Sequence, residues 1–405
     1  MTQGEKQNCL EAYNNLRERA NYAKRGDLYT GDFMKPQSGI FEKLCAFENL
    51  FEAYTLASKG KRYRDEVLAF YARLEENLLE IKGDLLSGEY TPGDYREFYI
   101  HEPKKRLVMT IPFRDRVVQW ALYQVVNPLF LKGYITDSYA CIEGRGVHQA
   151  SARIKYWAKL LSRDGANPYY LKLDISKYYY RIDHDILLDI LRKKLNDKPL
   201  IDLFEKIIKG ASIPFGLPEG ATVGSTERIF GKGMPIGNLS SQMFANIYLN
   251  ELDQYIKREL RVRYYVRYMD DMAIFADNKE DLHRYKSAIE TFLRELLNLS
   301  LNAKTAIRPL KHGIEFCGFR VWHTHIKLRK QTALRMKRRL KKVKEDFENG
   351  AMSLEMVSRT VASYKGIFDH CDSYALRRSI FGDIERGDWG GWFVLRRKSD
   401  TTEDG

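Results

Sequence analysis

The stretch that decides the fold is Val262-Arg263-Tyr264-Tyr265-Val266-Arg267-Tyr268-Met269-Asp270-Asp271-Met272-Ala273-Ile274-Phe275-Ala276-Asp277. Two runs rich in β-branched and aromatic residues flank a pair of carboxylates, the pattern of a hairpin with a charged tip. Adjacent carboxylates between apolar strands repel one another and compete for water. A divalent cation relieves the conflict, and hard Mg²⁺ is typically held by one or two carboxylates plus substrate phosphates. Asp-Asp also occurs in ordinary turns, because aspartate tolerates turn geometry, so the pair needs context. A third carboxylate, Asp174, closes the apolar run Tyr170-Leu171-Lys172-Leu173. If the two strands are neighbours, Asp174 and Asp270 lie side by side. Two ions roughly 3.5–4 Å apart would then clamp the attacking and leaving oxygens of an in-line phosphoryl displacement.

The chain around this stretch has 405 residues, 44% of them hydrophobic and only 11 proline, which excludes a disordered or collagen-like protein. That length predicts two or three subdomains. No run of 18 apolar residues is present, so no membrane span is expected. The opening Met1-Thr2-Gln3-Gly4-Glu5-Lys6-Gln7 lacks the basic and apolar regions of a secretory signal. The five cysteines (Cys9, Cys45, Cys141, Cys317, Cys371) are too scattered for a zinc knuckle and fit free thiols in a reducing cytoplasm. Lys and Arg number 67 against 54 Asp and Glu, a net +13, which points to a polyanionic partner. Residues 327–345 hold ten of those bases and one acid, a local +9. Met336, Leu340, Val343 and Phe347 recur there at helical spacing, so the opposite helix face is densely basic.

Periodicity predicts helices over 5–25, 41–58, 63–87 and 114–131. Short strands are predicted around Phe98-Tyr99-Ile100 and Leu107-Val108-Met109, flanking the basic turn Pro103-Lys104-Lys105-Arg106. A buried strand over 169–174 and a helical stretch after Asp183 follow. Residues 202–233, rich in glycine, read as loop with short elements. A helix is expected from Ser240 or Ser241, with Phe244, Ile247, Tyr248, Leu252, Tyr255 and Ile256 along one face. After the hairpin come a helix over 279–298, a strand pair over 314–328 and C-terminal helices. Strands and helices do not alternate as βαβ units, so the prediction is an α+β core with helical appendages.

Further motifs stand in order around the carboxylates. They are Ile111-Pro112-Phe113-Arg114-Asp115-Arg116, then Asp137-Ser138-Tyr139-Ala140-Cys141 with Gly144-Arg145-Gly146-Val147-His148, then Leu173-Asp174-Ile175-Ser176-Lys177-Tyr178-Tyr179. Met234-Pro235-Ile236-Gly237-Asn238-Leu239-Ser240-Ser241-Gln242, Tyr268-Met269-Asp270-Asp271, Lys304 and Gly313-Ile314-Glu315-Phe316-Cys317-Gly318 complete the series. Over roughly residues 95–330 this series resembles the reverse transcriptases. The resemblance implies a right-hand polymerase with fingers, an antiparallel RRM-like palm and a helical thumb. It partitions the chain into an N-terminal extension (1–94), fingers (95–168), a first palm piece (169–183), an insertion (184–233), the main palm (234–328), the thumb (329–386) and a tail (387–405).

It also implies roles. Asp174 and Asp270 would hold two Mg²⁺ ions, for which Mn²⁺ can substitute, with Asp271 and the main-chain carbonyl of Ile175 in support. Tyr179 would lie under the nucleotide sugar and exclude a 2′-OH, the group that separates the two sugars. Taken alone, Tyr178, Tyr179 and Tyr180 read as a strand-end aromatic cluster that packs the core. Lys104, Lys105 and above all Arg106, whose fork suits a triphosphate, would bind dNTPs together with Ile236, Gly237, Gln242 and Lys304. Lys304 alone reads as a surface lysine or as a general acid beside pyrophosphate. Arg114 and Arg116 would touch template backbone. Arg335, Arg338, Arg339 and Lys342 would track the phosphates of a primer–template duplex.

Within the family, Ile236-Gly237 and Ser241-Gln242 stand where Gln-Gly and Ser-Pro are usual, a pattern similar to the reverse transcriptases of diversity-generating retroelements. Those enzymes copy a template RNA with frequent errors at adenines and work with a small basic accessory protein oligomer. Two other readings stay open: an antiphage, retron-like or group II intron-like reverse transcriptase, and a maturase-like RNA-binding module without catalysis.

Overall fold

The computed structural model describes residues 39–100, 106–163, 166–382 and 391–395. The helix expected over 5–25, Lys104, Lys105 and Trp389 lie outside them.

In chain order the helices α1 (Ile40–Cys45), α2 (Phe47–Ser58), α3 (Asp65–Ala72) and α4 (Leu74–Ser87) come first. The expected pair of helices is thus four. Ala46 leaves the helical region with ψ near 137° and divides the first, and Arg73, at φ −131°, divides the second. Strands β1 (Arg96–Ile100) and β2 (Arg106–Thr110) pair antiparallel, and α5 (Phe113–Leu131) follows. Next come α6 (Val147–Leu161), β3 (Tyr169–Asp174), the single turn α7 (Tyr178–Arg181), α8 (His184–Lys194) and α9 (Lys198–Lys209). The third part holds α10 (Leu239–Gln254), which ends in a π-turn over Tyr255–Glu259, then β4 (Tyr265–Tyr268), β5 (Asp271–Ala276), α11 (Lys279–Leu296) and β6 (Ala306–Pro309). The last part runs β7 (Ile314–Phe316), β8 (Phe319–Val321), β9 (Ile326–Leu328), α12 (Lys330–Glu348), α13 (Leu354–Phe368) and α14 (Tyr374–Phe381).

Three expectations are corrected. Residues 202–209 are helical, because Asp197 caps α9 by accepting from Leu200 N at 3.3 Å and the run Leu200, Ile201, Phe204, Ile207, Ile208 is buried at helical spacing. The same carboxylate accepts from Ile40 N at 2.8 Å and Phe41 N at 3.0 Å, so one buried aspartate serves two helix N-termini. Residues 314–328 form three strands in an antiparallel meander, not two. The helix at Ser240 begins one residue earlier, with Asn238 as its N-cap residue, and it is buried all round rather than along one stripe.

The chain divides into two compact units. One comprises residues 1–143, 173–272 and 283–306, and the other 144–172, 273–282 and 307–405. The core of the first is built on α5 and α10. Buried Asp115 holds the approach to β1 by accepting from Tyr90 Oη at 2.8 Å and Gly93 N at 3.0 Å. In the second, Met336 and Leu340 of α12 pack with Phe368 and Ile380, and the tail docks on them. Phe393 N donates to Ile380 O at 2.8 Å, and Trp392 packs against the same cluster. The tail tryptophan at 392 is therefore a packing residue. A four-stranded sheet runs in the order β4-β5-β3-β6. No helix among the described residues is long and apolar enough to cross a membrane.

Candidate active site

Only two residues, Met269 and Asp270, join β4 to β5. Such a loop needs a left-handed residue to match the strand twist, and Met269 supplies it at φ 55°. A non-glycine residue there costs about 1–3 kcal/mol, and such strain persists only where the surroundings over-determine it. Asp270 sits in this turn and Asp271 opens β5, both half-buried. Asp174, also half-buried, closes β3, the strand hydrogen-bonded to β5. Beyond it the chain stays paired: Asn302 N donates to Asp174 O at 2.7 Å, Ser176 N to Ser300 O at 2.9 Å, and buried Ile175 bridges Leu301.

The three consecutive tyrosines separate. Tyr178 is fully buried, with its hydroxyl donated to Ala245 O, and Tyr180 stacks on Phe215 at 4.6 Å. Tyr179 is only half-buried. Burial pushes its phenol well above the ordinary value, and Cys141 and Asp270 raise it further while Arg106 pulls the other way. Tyr179 therefore lies within electrostatic reach of both Asp270 and Arg106. Arg106 opens β2 and is exposed.

The motif at 236–242 is fastened to the same place. Met109 N donates to Ile236 O at 3.1 Å, and Met234 N to Tyr179 O at 2.7 Å. Gly237 has φ 122°, and a Cβ there would stand 3.0 Å from Met109 O and from Val108 Cγ1, so only glycine allows this approach to β2. Ile236 packs half-buried on the cluster of Tyr95, Leu107, Met109 and Tyr180. Gln242 is exposed on α10, and Cys141 Sγ donates to its Oε1 at 3.4 Å. Lys304 is exposed in the loop that begins at Asn302.

Two predicted residues have other engagements. Arg114 ion-pairs with Asp84 and lies 5.4 Å over the Tyr90 ring, and Arg116 meets Glu66 at 2.7 Å. Both tie α5 to the N-terminal helices. Arg335, Arg338, Arg339 and Lys342 are exposed on α12 in the second unit.

Sequence reasoning missed the buried group behind the turn. Arg267 and Asp253 are each 0% exposed and pair through Nε at 2.8 Å to both carboxylate oxygens. Burial pulls the Arg267 pKa down, but the Asp253 carboxylate outweighs it, and the guanidinium stays charged above the ordinary arginine range. A signal existed: an arginine inside the apolar run Tyr265-Val266-Arg267-Tyr268 implies a buried partner, because an unpaired charge there is prohibitive.

The donor set fits a hard cation, since Asp174, Asp270, Asp271 and the Ile175 carbonyl offer only oxygen. Among the described residues no three His, Cys, Asp or Glu side chains form a metal cage by themselves.

A mixed helix-and-sheet fold with carboxylates at a hairpin tip and at the end of a neighbouring strand defines the palm of a right-hand nucleic-acid polymerase. The chain belongs to the reverse transcriptase (RNA-dependent DNA polymerase) family, whose model matches residues 100–321, more than half of it. It is 28% identical over 285 residues to Protein YkfC of Escherichia coli strain K12, covering 62% of this chain and 72% of that one. It is 27% identical over 214 residues to the group II intron-encoded protein LtrA of Lactococcus lactis, covering 52% of this chain and 33% of that one. The chain thus spans about a third of LtrA. Among solved structures, apo telomerase from Candida tropicalis aligns over 63% of this chain and 60% of its own at 13% identity, with a TM-score of 0.42. The family generally uses Mg²⁺.

Proposed function

We propose that this protein is an active RNA-directed DNA polymerase that makes cDNA on a template RNA by two-metal nucleotidyl transfer. The observation that supports the reading is that β3, which ends at Asp174, is the sheet neighbour of β5, which begins at Asp271. Bound Mg²⁺ would polarise the transferred phosphate and activate the primer hydroxyl. Asp174, Asp270 and the Ile175 carbonyl would hold the ions, with Asp271 in support. Tyr179 would press on the sugar of the incoming dNTP, and Arg106 would draw its triphosphate toward the carboxylates. The experiment is primer extension on poly(rA)/oligo(dT) with Mg²⁺ for wild type and Asp270→Asn. Extension by wild type and loss of about 100-fold or more in the variant is expected. Equal signal from both proteins refutes the reading.

The finer reading is an error-prone enzyme of a diversity-generating retroelement, acting with a basic accessory protein oligomer. It is supported by Ile236, an apolar residue seated where a polar check on the nucleotide is expected. A second reading, a group II intron-like enzyme, is favoured by the likeness to LtrA. Error spectra on an adenine-rich template separate the two, since only the first reading calls for errors concentrated at adenines.

A further inference from the structure

The catalytic turn carries a left-handed Met269 at the end of an edge strand, a conformation that persists only where the surroundings over-determine it. One buried cation supplies that restraint. Arg267 Nη1 donates to Met269 O at 3.4 Å, the carbonyl of the left-handed residue itself, and to Asn246 Oδ1 at 3.0 Å. Asn246 Nδ2 in turn donates to Ala140 O at 2.9 Å. The guanidinium is itself held from α10. Nε is shared between the two oxygens of Asp253, Nη2 approaches Oδ2 to 2.7 Å as an ion pair short of hydrogen-bond angles, and Tyr265 Oη donates to Oδ1 at 2.7 Å. The main chain of the same arginine closes the free edge of β4, with Arg267 N donating to Asp137 O and Tyr139 N donating to Arg267 O, both at 3.0 Å.

A buried ion pair is weak evidence of stabilisation, because its replacement by apolar residues of similar volume commonly leaves a protein as stable or more so. What such a replacement removes is the hydrogen bond to the turn. We propose that Arg267, oriented by Asp253, is a positioning residue that fixes the Met269 carbonyl and through it the Asp270 and Asp271 carboxylates. It acts on the chemical step and not on substrate binding. The same network explains why Asp137-Ser138-Tyr139-Ala140 accompanies the hairpin, since that segment is the other wall of the clamp. The inference rests on the polymerase reading for its kinetic consequence, and on geometry alone for its effect on the turn.

The test is the double variant Arg267→Met/Asp253→Leu, which removes both charges and leaves apolar side chains in their place. It is compared with wild type by thermal melting, by amide hydrogen exchange over residues 266–272, and by single-nucleotide extension of poly(rA)/oligo(dT) with dTTP. A melting temperature within a few degrees of wild type is expected, with exchange accelerated at 268–272 and unchanged in α10. A kcat loss of about 10- to 100-fold with the dTTP KM about unchanged is expected, because small misplacements of catalytic groups cost rates of that order. The half-saturating Mg²⁺ concentration rises. Exchange at 268–272 equal to wild type overturns the proposal, and so does a kcat within about threefold of wild type. If the double variant does not fold, Arg267→Lys serves instead: it keeps the charge but cannot reach Asp253, Asn246 and Met269 at once. Wild-type exchange at the turn in that variant likewise overturns the proposal. Absence of extension by wild type itself counts against the polymerase reading alone, and the exchange measurement then decides the positioning role.

Discussion

On the proposed polymerase reading, Ile236 is the residue assigned to nucleotide choice. Its carbonyl is fixed to Met109, its side chain lies half-buried on an apolar cluster, and it offers no donor or acceptor to a base pair. Polar contacts discriminate far better than apolar ones, because a mismatch leaves a buried polar group unpaired. Ile236→Gln is therefore expected to lower misincorporation opposite template adenine several-fold, on the order of ten. Sequencing of cDNA made by each protein on one adenine-rich template checks this. An unchanged error spectrum removes Ile236 from the fidelity argument. The same scale shows what the linear pattern conceals. Three tyrosines in a row look equivalent, yet the turn of α7 buries Tyr178 and Tyr180 and leaves Tyr179 half-exposed. Arg114 and Arg116 look like a template contact and are instead paired with Asp84 and Glu66, since those helices fold over the start of α5.

At the scale of elements, α12 is a basic helix with an apolar seam. Met336, Leu340, Val343 and Phe347 are buried against α13, α14 and the tail, and Arg335, Arg338, Arg339 and Lys342 are exposed. A like-charged face costs helix stability, roughly a few tenths of a kcal/mol for each i,i+4 pair, and the seam offsets it. Changing those four bases to glutamine is expected to weaken primer–template affinity and reduce the slope of log affinity against log salt by up to about 3–4. The kcat at saturating duplex should stay within about twofold, because the metal chemistry is untouched. Binding titrations at several salt concentrations measure this, and an unaltered slope would exclude the helix from the duplex contact. The seam of α12 was legible because a 3.6-residue repeat needs only local order. The meander over 314–328 was not, since three-residue strands are too short to show a period, and α10 was misread because a helix packed on all sides has no polar face to mark it.

On the scale of the whole molecule, acid stability involves both units. Burial pushes His184 of the first unit below the ordinary imidazole range, against the pull of its contact with Gly233 O at 2.8 Å. Burial and then the stacked His370 ring, 3.6 Å away, do the same for His148 of the second unit. A depressed folded pKa means that the unfolded chain takes up protons first. This contribution is complete above about pH 6.5 and is lost as pH falls toward the folded pKa. The urea midpoint should therefore drop between pH 7.5 and 5.5, and His148→Asn/His184→Asn should flatten that dependence. A dependence equally steep in the double variant would assign it to other groups.

By itself the sequence determined the class of the protein. The hairpin with its carboxylate tip, the strand closed by Asp174, the order of the motifs and the basic helix are all local patterns, set by side-chain periodicity and charge within a few residues. Tertiary structure alone decided what surrounds them. Asp253 and Arg267 are 14 residues apart, and Asn246 is 21 from the arginine. Nothing in the spacing says that Asp253 of α10 meets Arg267 of β4 with both charges fully buried. Burial is a property of what packs over a residue, contributed by segments distant in sequence. The carboxylates could be read from the chain, whereas the clamp that aims them could be seen only in the fold.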